Sequence, residues 1–462
     1  MTERPHTDIE SIRESYSGPL ERVFDRIISP FEEFIHKQTT SGRLLMACAV
    51  IALILANSPL SDAYAHLLHT PLGLHLGNWE LSKTLHHWIN DGLMALFFFI
   101  VGLEIKRELL VGELADPRQA ILPIVAAIGG MVVPALLYFL INPQGAAASG
   151  WGIPMATDIA FAVGVLALLG NRIPKSLLTF LVALAIVDDL GGVLVIALFY
   201  TEKIALLPLA MAGLLLGLLV LANVVGIRRP LAYFILGALL WLAMLESGIH
   251  ATLAGVLTAL AIPARSKYDP ALFSQHVRQL MNAYDEHHQP GTSIMRNERL
   301  HSILQTLENG VQMVETPLQR LEHGLHLPVA LLIIPIFALA NAAIPLPLDS
   351  LVQTLSHPVT LGVATGLVGG KVLGIVGLSW LAIRLGWAKL PPHSSMSQLL
   401  GVGLIGGIGF TMSIFIAELA FAGQPQLLLM AKTGVLFASL CAGVLGLVWL
   451  ILVTPKTDAA NN

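Results

Sequence analysis

Long apolar runs separated by short polar segments dominate this chain from about residue 42 onward. Most runs reach the ~20 residues that an α-helix needs to cross the hydrocarbon layer of a membrane. The predicted spans are 42–59, 85–105, 120–141, 153–169, 177–200, 204–225, 231–246, 248–263, 327–345, 358–384, 398–421 and 427–454. Because only Glu246, Ser247 and Gly248 separate the seventh run from the eighth, eleven and thirteen are alternatives to a count of twelve. The pattern predicts an all-α polytopic membrane protein.

Two of these runs are interrupted near their middle by residues that an unbroken membrane helix would avoid. The fourth contains Thr157 and Asp158 within Ala156–Phe161, and the eleventh contains the glycine-rich stretch Gly406–Ser413. A pair of interrupted spans is typical of secondary transporters, in which freed backbone groups at mid-depth form the binding site. The pattern therefore predicts two broken helices.

The composition supports a membrane location. Hydrophobic residues make up 55% of the chain and charged residues only 12%, compared with about 25% charged residues in soluble domains. The net charge of −4 and the absence of a basic tract argue against a nucleic-acid partner. If the N-terminus is cytoplasmic, about 22 of the 26 lysine and arginine residues fall on the cytoplasmic side. The positive-inside rule thus predicts that both termini are cytoplasmic.

The polar segments divide the chain. The predicted parts are a cytoplasmic N-terminal segment 1–41, transmembrane helices 1–8 in 42–263, a cytoplasmic loop 264–326, transmembrane helices 9–12 in 327–454, and a cytoplasmic tail 455–462. Ile28–Ile35 could form a surface helix, and the loop is expected to contain some helix around Asn297–Thr316. The loop is too polar to form a core of its own.

Asp188 and Asp189 lie side by side inside the fifth apolar run. A charged side chain at bilayer depth is costly and usually faces a bundle interior or a water-filled cavity on an ion path. Two like charges ~5 Å apart at an effective dielectric of ~20 repel by roughly 3 kcal/mol. One of the two carboxyls is therefore expected to keep a proton, which an incoming cation could replace. Packing alone gives no reason for such a doublet.

Asp158 and Lys371 are the other candidates for a site at mid-depth. A broken helix exposes N–H groups at one end and carbonyls at the other, so a buried acid offsets the positive ends and a buried base the negative ends. Asp158 suits the first role and Lys371, in Val368–Val372, the second. The alternatives are a helix cap without a part in transport, and a purely structural ion pair of Lys371 with Asp188 or Asp189.

The second span carries charges at both ends. Asp91, near the outer end, could line an access route or pair with Lys83. At the inner end Glu104, Arg107 and Glu108 share one helix face. This face is either a solvated helix end or the rim of a cytoplasmic funnel that attracts cations and responds to pH.

A second set of titratable residues precedes the ninth span. Glu322, His323 and His326 lie in Arg320–His326. Histidine titrates near neutral pH, so a role in pH response is one interpretation. The other is the ordinary solvated histidine of a juxtamembrane loop, since the spacing is too loose to indicate a zinc site.

Taken together, these motifs resemble the NhaA-type sodium/proton antiporters of bacterial inner membranes. The resemblance covers Gly42 to Lys456. Its most specific blocks are Trp88–Leu110, Ala156–Val163, Ala185–Gly192, Ser247–Gly255, Arg320–His326, Ile334–Ala343 and Gly406–Phe415. This family is one of those from which the broken-helix pattern was described, so the pattern and the resemblance are not independent.

The resemblance implies a fold of about twelve transmembrane helices with inverted repeats and two crossed, broken helices. It also implies roles for the candidate residues. The implied cation and proton site consists of Asp188, Asp189, Asp158 and Thr157, with Asp188 and Asp189 as Na⁺ ligands. Lys371 is implied to be the charge-compensating lysine, and Asp91 to occupy a polar position on the ion pathway. The implied pH-response cluster consists of Glu104, Arg107, Glu108, Glu322, His323 and His326. Two features depart from the family: a longer loop before Arg320, and Glu418 where a small residue is expected.

The implied function is electrogenic, pH-regulated export of cytoplasmic Na⁺ or Li⁺ in exchange for external protons, by alternating access. Membrane lipid, Na⁺ and H⁺ are the expected partners, no cofactor is needed, and a homodimer is possible. The expected location is the bacterial inner membrane. Two alternatives are a transporter of the same fold for another substrate, such as an organic anion, and an intramembrane aspartic protease using Asp158 and Asp188.

Overall fold

The computed structural model describes residues 38–76, 79–201, 204–265, 270–287, 297–346 and 351–454. Helices make up most of this part of the chain. In chain order they are α1 Gln38–Ala56, α2 Ser61–Leu68, α3 Leu85–Leu110, α4 Pro117–Ile141, α5 Ile159–Ala167, α6 Lys175–Phe199, α7 Leu206–Val224, α8 Pro230–Ser247, α9 Leu253–Ala261, α10 Pro270–His287, α11 Glu298–Val314, α12 Pro317–Asn341, α13 Leu351–Ser356, α14 Pro358–Arg384, α15 Met396–Ile405, α16 Phe410–Ala420 and α17 Pro425–Val453. A 3₁₀ helix, Ala146–Met155, precedes α5.

The polytopic membrane architecture is confirmed, while the count of twelve spans stays a prediction. Eight of the described helices are long and apolar enough to cross a membrane, or up to eleven if each bent pair of helices is one span. The predicted span 248–263 contains only the nine-residue α9. Gly248 separates α9 from α8 because its φ of 83° lies in the left-handed region, which favours glycine.

One small sheet was not anticipated by the all-α prediction. Strands β1, Pro71–Leu76, and β2, Trp79–Thr84, form an antiparallel hairpin in which Leu76 pairs with Trp79. The indole Nε1 of Trp88 donates a hydrogen bond of 3.0 Å to the carbonyl oxygen of Leu72. This contact ties the hairpin to the first turns of α3.

The loop predicted over 264–326 is more helical than expected. The helix expected around Asn297–Thr316 is present as α11, whereas α10 was not predicted. The ninth span, expected from 327, begins ten residues earlier as α12, because Thr316 and Gln319 form a capping box there. His323 and His326 therefore lie on the first turns of a helix and not in a loop. The predicted surface helix Ile28–Ile35 lies outside the described residues.

The two predicted helix breaks are confirmed. The 3₁₀ helix and α5 are bent by 40° around Ala156–Asp158, and α15 and α16 by 48° around Gly406–Gly409. The breaks contact each other, since the Asp158 N–H donates to the Ile408 carbonyl at 2.7 Å. Both broken helices, with α4, α6, α14 and α17, contribute to the largest buried cluster, so the breaks lie within the protein interior.

A close approach of α4 and α14 brings Lys371 into this interior. A Cβ atom built on Gly374 would lie 2.0 Å from the Gly129 carbonyl oxygen, and one on Gly370 would lie 2.7 Å from the Pro134 Cα. Small residues allow helix backbones to approach closely in membranes. These contacts fix the height and rotation of α14, and with them the position of the Lys371 side chain.

Replacing Gly374 with alanine is expected to push α4 and α14 apart. Overpacking a tight interior typically costs about 1–3 kcal/mol, so the free energy of unfolding should fall by about that amount. Gly377→Ala is the matched control, because a Cβ there meets no atom within 4 Å. Unfolding in detergent, followed by tryptophan fluorescence, compares the two variants; equal stabilities would contradict the packing argument.

Candidate ion-binding site

Asp188 and Asp189 lie in the middle of α6, and their side chains are almost completely buried, with 1% and 2% of each residue exposed. Successive residues of an α-helix point about 100° apart. The two neighbouring carboxylates therefore face different surroundings, and their contacts differ accordingly.

Asp188 is paired with Lys371. The Lys371 Nζ lies 2.5 Å from Oδ2 of Asp188 and donates a second hydrogen bond of 2.9 Å to the Thr157 hydroxyl. That hydroxyl in turn donates to the Gly406 carbonyl, at 2.9 Å, at the C-terminal end of α15. Lys371 is itself fully buried. The ion pair thus links α6 and α14 to both helix breaks, and it decides between the two pairings that the sequence left open.

Asp189 has no such partner. Among the described residues neither of its carboxylate oxygens has a hydrogen-bond partner, and Oδ1 of Asp188 also lacks one. A buried polar group without a partner is uncommon and costly. A proton or a cation bound to the Asp189 carboxylate would remove this cost.

Asp158 lies between the starts of two half-helices. Its Oδ1 accepts the Phe161 N–H at 3.0 Å in the first turn of α5. Its Oδ2 accepts the Thr411 N–H at 3.0 Å at the start of α16, and also the Thr411 hydroxyl. The carboxylate therefore caps α5 and offsets the positive ends of both helices.

A cavity of about 270 Å³ joins these acids to a second polar group. Asp158, Asp189 and Thr411 line one part of it. The other polar lining residues are Glu104 and Arg107 of α3, and Glu322 and His326 of α12. A continuous space thus connects Asp189 with the charged ends of α3 and α12.

Arg107 organises the charges at this end. Its Nε lies 2.8 Å from Oε1 of Glu322 and its Nη2 lies 2.9 Å from Oε1 of Glu108. Glu108 also accepts the Glu113 N–H at 2.9 Å, and Glu104 lines the cavity nearby. Three acidic residues therefore surround one guanidinium, so the group is negative in sum.

The structure does not bring every candidate to the cavity. His323 and His326 are both exposed, but only His326, one turn later, lines the cavity. Asp91 and Lys83 line a small separate depression, and the Asp91 carbonyl accepts the indole N–H of Trp241 at 3.0 Å. These two positions are thus separate from the Asp189 side of the site.

Some contributors could not be picked out from the sequence. Thr411 lies within the second predicted break, but nothing in the sequence indicates that its N–H and hydroxyl both bind Asp158. The Gly406 and Ile408 carbonyls act through the backbone, which no residue type reveals. In the described part of the chain, no group of three or more His, Cys, Asp or Glu side chains is placed to hold a metal ion. A cation site here would therefore need hydroxyl and carbonyl oxygens as well as carboxylates.

Comparison with known proteins agrees with the family suggested by the sequence motifs. The family model described as Na⁺/H⁺ antiporter 1 matches residues 32–450. Na⁺/H⁺ antiporter NhaA 1 of Saccharophagus degradans is 56% identical over 430 residues, which cover 93% of each chain. NhaA of Sulfurimonas denitrificans is 56% identical over 441 residues, covering 96% of this chain and 99% of the relative. NhaA of Dichelobacter nodosus is 49% identical over 444 residues, covering 96% of each chain. These relatives are named as transporters and not as enzymes, and this chain belongs to the Na⁺/H⁺ antiporter 1 family.

Proposed function

We propose that this protein exports cytoplasmic Na⁺ or Li⁺ in exchange for external protons, by alternating access at Asp188 and Asp189. The observation that carries the proposal is Asp189, which lines the cavity. Its buried carboxylate lies beside a second acid and has no hydrogen-bond partner among the described residues. Its relatives are named Na⁺/H⁺ antiporters, which supports this cargo.

Competition between a proton and Na⁺ at Asp189 is the core of the proposed cycle. The carboxylate takes up a proton when the site faces outward, which removes the repulsion from Asp188. When the site faces the cytoplasm, Na⁺ displaces that proton. A hard cation prefers oxygen ligands. The Thr157 hydroxyl and the Gly406 carbonyl offer such oxygens, in the same hydrogen-bonded chain as Lys371 and Asp188.

Lys371 adds a second exchangeable charge to this cycle. To bind Asp188, Na⁺ must compete with the Lys371 ammonium group, which lies 2.5 Å from Oδ2 of Asp188. Once separated from Asp188, a fully buried ammonium is disfavoured and gives up its proton. More than one proton would then move for each Na⁺, so the exchange would carry net charge. Asp158 would serve this site by stabilising the helix ends around it.

The charged group around Arg107 is the proposed pH-response element. Glu104, Arg107, Glu108, Glu322 and His326 surround or adjoin the cavity that leads to Asp189. Their protonation would alter the negative potential that attracts cations to this end. His323 would act on the exposed side of the same turn of α12, and Asp91 would lie on the access route at the other end of α3.

The proposed function also requires a particular topology and location of the chain. Twelve membrane helices with inverted repeats and crossed broken helices fit the two breaks that contact each other. The distribution of lysine and arginine supports cytoplasmic termini and a cytoplasmic loop at 264–326. We expect a bacterial inner-membrane protein that can form a homodimer. A transporter of organic anions is disfavoured because adjacent buried carboxylates repel anions.

Dequenching of a pH-sensitive dye in everted vesicles tests the function directly. In vesicles acidified by respiration, Na⁺ or Li⁺ should release protons from the lumen, whereas K⁺ should not. Vesicles from the same strain without this protein are the control. Indifference to both Na⁺ and Li⁺ across the pH range would remove the antiporter proposal.

Replacing Arg107 with glutamine tests the pH-response proposal. Without the guanidinium, Glu322 and Glu108 lose the cation with which both form ion pairs. The group becomes more negative, which disfavours the release of protons along the cavity. The pH of half-maximal exchange should therefore move to a more alkaline value, with little change in the maximal rate. Arg118→Gln, an exposed cation at the same end of the bundle, is the control. An unchanged pH profile for Arg107→Gln would argue for the solvated-helix interpretation.

A further inference from the structure

A second polar network lies at the end of α3 opposite the Arg107 group. We call His86, Asn90, Asn341, Glu418 and Lys432 the distal network. The Lys432 Nζ lies 2.5 Å from Oε1 of Glu418, and Nε2 of His86 lies 3.8 Å from the same oxygen. His86 also contacts Oδ1 of Asn341 at 3.2 Å, and Asn341 donates to Oδ1 of Asn90 at 2.8 Å.

These contacts join helices that belong to the site at their other ends. His86 and Asn90 are on α3, which also carries Glu104 and Arg107 roughly 20–30 Å further along its axis, at about 1.5 Å per residue. Asn341 ends α12, which carries Glu322 and His326 in its first turns. Glu418 is on α16, the half-helix whose Thr411 binds Asp158.

A layer of aromatic rings separates the distal network from the site. Phe98 of α3, Phe337 of α12 and Phe415 of α16 are each about 1% exposed. The ring centroids of Phe98 and Phe415 are 5.6 Å apart, and those of Phe337 and Phe415 are 6.2 Å apart. On α16, Thr411, Phe415 and Glu418 are spaced four and three residues apart and so share one face. The order along this face is therefore site, rings, polar network.

The two ends of α3, α12 and α16 thus differ in how closely the helices are packed. At one end α3, α12 and α16 line the cavity of about 270 Å³. At the other end they are joined by ring contacts, by the hydrogen bond between His86 and Asn341, and by the approach of His86 to within 3.8 Å of Glu418. In alternating access only one end is open at a time, so the distal end is the closed one in this conformation.

We propose that the distal network is the gate of the closed end, and that His86 and Glu418 are the pair that separates when this end opens. The proposal rests on the proposed transport function for its purpose, and on the contacts above for its geometry. The Glu418–Lys432 contact joins α16 to its neighbour α17 and is short, so it stays together. The His86–Glu418 contact is longer and joins α16 to α3, so it is the contact that an opening motion breaks.

This role accounts for Glu418, an acid where the family resemblance suggested a small residue. His86, Glu418 and Lys432 are positioning residues in this proposal, since they do not touch the Asp188 and Asp189 carboxylates. By strengthening the closed end, they favour the conformation in which the cavity is open toward Arg107. Weakening them should shift the balance toward the opposite conformation.

Thiol accessibility from each side of the membrane tests the gate without relying on transport. In a background with Cys48→Ser and Cys441→Ser, Met412→Cys provides a reporter on the cavity wall, below the rings. A membrane-impermeant maleimide is applied to vesicles of each orientation. With the network intact, labelling should be slow from the distal side. His86→Leu and Glu418→Gln should each speed distal labelling about tenfold, equivalent to about 1.4 kcal/mol, without speeding labelling from the cavity side.

His87→Leu is the matched control, because His87 is the exposed neighbour of His86 and contacts Thr84. The double variant Glu418→Gln with Lys432→Met removes both charges and leaves no unpaired lysine, so it keeps the test valid if Glu418→Gln misfolds. Unchanged distal labelling in the variants, or a rise from both sides as general loosening would give, contradicts the gate. A faster distal rate in a protein that lacks Na⁺-dependent proton release would support the gate and contradict the proposed function.

Discussion

Replacing Asp189 with asparagine is expected to abolish Na⁺-dependent proton release while leaving the fold intact. The carboxylate is the proposed ligand for which H⁺ and Na⁺ compete, and an amide can neither bind a proton in this range nor supply a negative ligand. Loss of a residue beside a metal ligand costs about 10–100-fold, so loss of the ligand itself should exceed that range. Dye dequenching in everted vesicles measures the effect.

Stability separates this result from simple misfolding. Asp189 makes no hydrogen bond to the described residues, and a neutral amide removes its repulsion with Asp188. The thermal midpoint of Asp189→Asn should therefore equal or exceed that of the unmodified protein. Asp62→Asn, an exposed acid on α2, is the control and should change neither property. Exchange at a normal rate in Asp189→Asn would contradict the proposed site.

The membrane makes much of the fold predictable from this sequence. Backbone polar groups cannot be left unpaired in hydrocarbon, so apolar runs of sufficient length become helices. For the same reason Thr157, Asp158 and the glycines after Ile405 stand out as breaks. The start of α12 at Pro317 was missed because its first turns, up to His326, are polar and outside the apolar run. Apolar length indicates where a helix crosses the membrane and not where it begins.

The site was less predictable because it depends on rotation and contact between helices. Asp188 and Asp189 are indistinguishable by composition, and the choice of Asp188 as the partner of Lys371 follows from the rotation of α14 against α4 at Gly374. The distal network was even less predictable from the sequence. His86 and Glu418 are far apart in the sequence and form no motif, so only the packing of α3 against α16 brings them together.

A double-mutant cycle on Asp188 and Lys371 is expected to show strong coupling in stability. Removing one partner of a buried ion pair typically costs about 3–5 kcal/mol, because the other charge is left uncompensated. Lys371→Met leaves the Asp188 carboxylate buried without a compensating charge, and Asp188→Asn leaves the Lys371 ammonium group buried without one. Each single variant should therefore lower the free energy of unfolding by several kcal/mol.

The double variant Asp188→Asn with Lys371→Met should recover most of that loss, since neither charge remains. Chemical unfolding in detergent measures all four corners of the cycle, and Lys389→Met, an exposed lysine, should stay within about 0.5 kcal/mol of the parent. Additive losses would mean that the 2.5 Å contact does not hold the pair together in the folded protein. Recovery of stability without recovery of exchange would show that the pair is kept for transport, because a neutral interior at this position folds equally well but offers no carboxylate for Na⁺ to take from Lys371.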